Sequence, residues 1–149
     1  MTLHLPARIL RTVLPIVLLV PFVVLAVAFV LRWHSAKEVH DNLEHIEAHV
    51  AAPDSSTPAA EVFPGPWRQI CAVLPYGEVR VDGLHWASND DAEAALVLVG
   101  DHALKVVRVW GPNLPKAPAR QCLPMAEATL RFSRSVKGEL EIALVSRGR

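Results

Sequence analysis

The run TVLPIVLLVPFVVLAVAFVL, residues 12–31, decides how this chain is organised. None of its 20 residues carries a charge. At about 1.5 Å rise per residue, a helix of that length spans about 30 Å, the thickness of a bilayer core. A helix on the surface of a soluble domain keeps a polar stripe, and this run has none. Pro15 and Pro21 would damage a helix in water, but in a membrane the freed backbone groups find partners locally. The run therefore reads as a transmembrane helix. A cleaved signal peptide is the competing reading, with Ala26 and Ala28 as its small-residue site. Phe29, Val30 and Leu31 continue the apolar run past that site, which favours an uncleaved anchor.

The flanks suggest an orientation. Arg8, Arg11 and the amino terminus precede the run, and Arg32 and Lys37 follow it. The excess of positive charge is on the N-terminal side, so residues 1–11 read as a cytoplasmic tail. Trp33 stands where an interfacial aromatic anchor would. The expected location is the inner (cytoplasmic) membrane of a bacterial-type envelope, crossed once, with the C-terminal part in the periplasm.

Outside this run the composition is that of an ordinary folded chain. The whole is 149 residues, 52% hydrophobic and 20% charged, with 15 basic and 15 acidic residues. That much apolar matter excludes disorder of the whole chain. The length excludes a multidomain enzyme. A net charge of zero makes no case for nucleic acid as a partner.

Residues 32–50 read RWHSAKEVHDNLEHIEAHV. Ala36, Val39, Leu43, Ile46 and Val50 recur at alternating spacings of 3 and 4, an apolar seam that predicts a juxtamembrane helix. The seam could lean on the chain's own domain or on the membrane surface. It could also pair two copies into a homodimer, although two heptads are few for a coiled coil. The segment is rich in histidine. Asp41, His45 and His49 fall one turn apart and could offer zinc or another divalent cation three ligands, although the order H-x-E-x-H is not the zinc-protease motif. The plainer reading is a solvated helix face.

Residues 51–66, AAPDSSTPAAEVFPGP, contain four prolines among small residues, which suggests an extended linker. Residues 67–149 then form a small domain. Trp67, Ile70, Cys71 and Leu74 sit at i, i+3, i+4 and i+7, which predicts one short helix after Pro66. Beyond Pro75-Tyr76-Gly77 the period changes to two. Val79 and Val81 mark a strand. ALVLV, 95–99, and LKVVRVW, 104–110, predict a hairpin, as do the alternating runs 128–133 and 140–144 around Lys137-Gly138. The expected fold class is α+β: a single N-terminal transmembrane helix plus a small, mainly antiparallel β domain of about five strands with one short helix.

The chain has two cysteines, Cys71 and Cys122, and both lie in this domain. An even count outside the cytoplasm predicts a disulfide. Charge is uneven along the domain: residues 61–100 hold two basic and six acidic residues, whereas 101–149 hold nine basic and four acidic. Arg131, Arg134, Lys137, Arg147 and Arg149 make a candidate basic surface for anionic lipid, cell-wall polymer or an acidic partner, or simply a solvated sheet face. His85 and His102 have carboxylates nearby, but no nucleophile elbow, phosphate loop or dinucleotide fingerprint accompanies them. Asp82, His85 and Ser88 resemble a triad only in order. Trp67, Trp86 and Trp110 could line a ligand site or form the core.

These features together suggest an extracytoplasmic binding or assembly module on a membrane anchor, an accessory subunit of an envelope complex with a protein partner and no required cofactor. A small envelope hydrolase or metal-binding protein, using His85 or His102 or the His-rich stalk, is the alternative. If the anchor is uncleaved, the intact mass of protein extracted from membranes includes the residues before Ala28. A mass that begins after Ala28 would identify a processed signal peptide.

Overall fold

The computed structural model describes residues 7–52, 54–89, 91–114 and 120–147, with side chains from residue 19 onward except that of Arg120. The chain divides into two units, the first ending at Lys37 and the second beginning at Glu38. Helix α1, Ala7–Glu47, is the only regular element of the first unit among the described residues and extends into the second.

In the first unit α1 is long and apolar enough to cross a membrane. It is assigned as one helix through Pro15 and Pro21. From Leu19 onward its most apolar window has a mean hydropathy of 1.8, and none of that window is buried. Phe29 and Trp33 stack loosely at its polar end, ring centres 6.3 Å apart, with Trp33 exposed.

The second unit is built of antiparallel strands. Sheet order β6-β5-β2-β7 joins Leu104–Trp110, Glu93–Val99, Gln69–Val73 and Arg120–Pro124. A second sheet, β1-β8-β9, joins Ser56–Pro58, Ala128–Arg134 and Leu140–Ser146. The β3–β4 hairpin pairs Glu78–Val81 with Leu84–Ala87. Strand β5 shows why three layers are needed. Every residue from Ala94 to Val99 is fully buried, so both faces of its sheet must be covered.

One face carries Ile70, Ala72, Leu96 and Leu98. It packs with Leu130, Phe132 and Ile142 of the second sheet, and with Ile46 from the end of α1. The opposite face carries Cys71, Val73, Ala95 and Val97, and Val79 and Trp86 of the β3–β4 hairpin close over it. That hairpin turns at Asp82-Gly83, where φ is positive at both residues, as a two-residue turn of this hand requires.

The two expected hairpins form as read, β5 with β6 and β8 with β9. Two expectations are corrected. Residues 67–74 are not a helix; they contain strand β2, with Ile70–Val73 all buried. A short apolar run fits either period, and here pairing on both sides, to β5 and to β7, decides it. The segment 51–66 is not an extended spacer. It holds β1, which pairs along β8, and then the short helix α2, Ala59–Val62. Ala59, Val62 and Phe63 form a one-turn apolar face buried in the main core, and this is the domain's short helix. Pro58 fits because it ends an edge strand, where a missing N–H is tolerated.

Within the second unit, the apolar seam of α1 from Val39 onward packs on the domain. Val39 and Ile46 are buried, and Leu43 and Val50 pack against the core that contains Ile46. The docking of this seam on its own domain is thus present, and pairing with a second copy is not needed to cover Ile46.

Cys71 and Cys122 stand opposite each other in the β2–β7 register, with Cα atoms 4.0 Å apart, and are disulfide-bonded. The sequence separation is 51 residues. Closing a loop of that size is worth about 4 kcal/mol through the unfolded chain. Urea unfolding of the full chain in neutral detergent should therefore show the Cys71→Ala/Cys122→Ala variant less stable by about 4 kcal/mol. A loss below about 1 kcal/mol would mean that the unfolded chain is already constrained in the same way.

Candidate functional site

His40, Leu43, Glu44 and Glu47 follow one another at i, i+3, i+4 and i+7, so they share a face of α1. This face forms one wall of a groove of about 380 Å3. The opposite wall is Trp110 at the end of β6, the 3₁₀ turn Gly111–Asn113, and Glu139 and Leu140 where β9 begins. All of these residues lie in the second unit.

The groove has a definite chemical character. Glu44, Glu47 and Glu139 are exposed, and none of them takes part in an ion pair among the described residues. No lysine or arginine is among the described lining residues. Trp110 is 40% exposed, unlike Trp67 and Trp86, which pack against the two cores. Asn113 is only 7% exposed. Its Nδ2 donates to the Leu140 carbonyl at 2.7 Å, which fixes the amide's orientation. Its Oδ1 is buried and has no hydrogen-bond partner among the described residues. A buried acceptor left unpaired costs about 1–3 kcal/mol, so its presence needs a reason.

The helical wall is fixed by a neighbouring set of contacts. Arg108 Nη1 donates to Glu38 Oε2 at 2.9 Å, and its Nε side faces the Glu93 carboxylate in a close ion pair. Asn42 Nδ2 donates to the Arg108 carbonyl at 3.0 Å. Burial works against the charge on Arg108, but Glu93 and Glu38 outweigh it and raise the pKa of the guanidinium. It is therefore a permanent cation between two carboxylates.

The residues picked out from the sequence are placed differently. His45 Nε2 lies 2.9 Å from the Val62 carbonyl, and His49 Nδ1 lies 2.9 Å from the His45 carbonyl. A carbonyl only accepts, so each of those nitrogens carries a proton and is turned away from metal binding. Asp41 is exposed on the same helix, and the described residues include no group of three His, Cys, Asp or Glu side chains that could hold a metal ion.

The basic residues are spread along a hairpin. Arg131 is exposed in mid-strand on the outer face, level with Ser56 and Ala143. Arg134 and Lys137 are at the turn end, where Arg134 donates to the Gly138 carbonyl at 2.9 Å. Arg147 is at the other end, about 20 Å away for strands of this length. Arg149 lies outside the described residues.

His85 pairs with Glu78 at 3.3 Å, Asp82 pairs with Arg68 at 2.9 Å, and Ser88 Oγ donates to the Glu93 carbonyl. The three thus face separate partners. His102 is exposed in the β5–β6 turn. The groove itself was not visible in the sequence. The face 40/43/44/47 is readable as a helix face, but nothing local links it to Trp110, Asn113 or Glu139.

No known protein family, curated protein or solved structure matches this chain.

On the β3–β4 hairpin, hydrogen bonds from Arg80 and His85 hold the Glu78 carboxyl below the usual glutamate value. A lowered folded-state pKa contributes stability above the unfolded value, and that contribution is lost as pH falls through the folded value. Carbon-detected NMR titration should show Glu78 titrating at lower pH than free glutamate. In Arg80→Ala/His85→Ala its midpoint should return upward. An unchanged midpoint would show that these two groups do not set it.

Proposed function

We propose that this chain is a membrane-anchored binding or assembly module of a cell envelope, an accessory subunit whose folded domain lies outside the cytoplasm. The observation that carries this reading is the combination of an anchor-type helix and a disulfide-closed domain in one short chain. Structural disulfides persist in oxidising compartments, and an apolar N-terminal helix is a route to one. The charge excess before residue 12 favours a cytoplasmic N-terminus and a periplasmic domain.

Binding fits better than catalysis because the candidate acid, base and nucleophile side chains are engaged apart from one another. What the domain offers in their place is a groove with an exposed tryptophan and carboxylates that have no ion-pair partner among the described residues.

The test is the redox state of the cysteines in intact cells, followed by purification from gently solubilised membranes. With thiols blocked before lysis, Cys71 and Cys122 should label only after reduction, and a reductant that cannot cross the inner membrane should suffice. A partner should co-purify in fixed stoichiometry. Free thiols at both positions before reduction would overturn the external placement. Recovery of the chain alone would overturn the subunit assignment.

A further inference from the structure

No further inference is drawn: the strongest candidate, the groove between the last turns of α1 and the Trp110–Asn113 segment, is a cluster of exposed carboxylates beside an exposed tryptophan, and nothing in the structure shows what covers it.

Discussion

Strand β5 must be covered on both of its faces, and most of the second unit's architecture follows from that constraint. Ala94–Val99 exposes nothing to solvent. A strand of this kind normally lies inside a sheet with helices on both sides, but a domain this small has few helices to spend. It uses a second sheet and the tip of α1 on one face, and a four-plus-four hairpin on the other. Besides the β8–β9 hairpin, the covers are drawn from segments that would otherwise have been connections. The end of α1 supplies Ile46, the stretch after it supplies Ala59, Val62 and Phe63, and residues 78–87 fold over as β3 and β4.

The same economy gives the groove its composition. To bury Ile46, α1 must lie with the 39/43/46/50 seam against the domain, and this leaves the 40/44/47 positions at the margin of the contact. Residues at such a margin are close enough to other elements to form a wall with them, yet wet enough to stay charged. The ion pair of Arg108 with Glu38 and the hydrogen bond from Asn42 fix this wall.

How much of this could be read beforehand depended on whether the signal was local. The β8–β9 hairpin alternates strictly because one face is buried and the other is wet, so Leu130, Phe132, Ile142 and Leu144 announced themselves. The β5–β6 hairpin was legible as two apolar runs around a turn. The paired cysteines were legible from their count. Strand β2 was misread because its apolar positions satisfy a helical period, and only its neighbours β5 and β7, distant in sequence, choose the strand. Residues 51–66 look like a spacer by composition, yet three apolar side chains at 59, 62 and 63 were enough to pull them into the core. The β4 strand was missed although Asp82-Gly83 is a strong local hairpin sign, and LHWA after it completes the pair. The groove had no local signature, because Glu44 and Glu139 are 95 residues apart and meet only through the fold.

The position of the disulfide has a mechanical meaning. Residues 72–121 form a closed covalent ring between Cys71 and Cys122, and that ring holds β3, β4, β5 and β6 entirely. A pull applied between α1 at one end and the residues after β9 at the other runs down the chain to Cys71, crosses the sulfur bridge and continues from Cys122. The ring is bypassed. The most buried strand and the hairpin that covers it carry none of the tension while the bridge is intact. The segments that bear the load are the flanking ones: α1, β1, α2 and the β8–β9 hairpin. A domain held this way can yield at its margins under force and recover, with its central strand never drawn out of register.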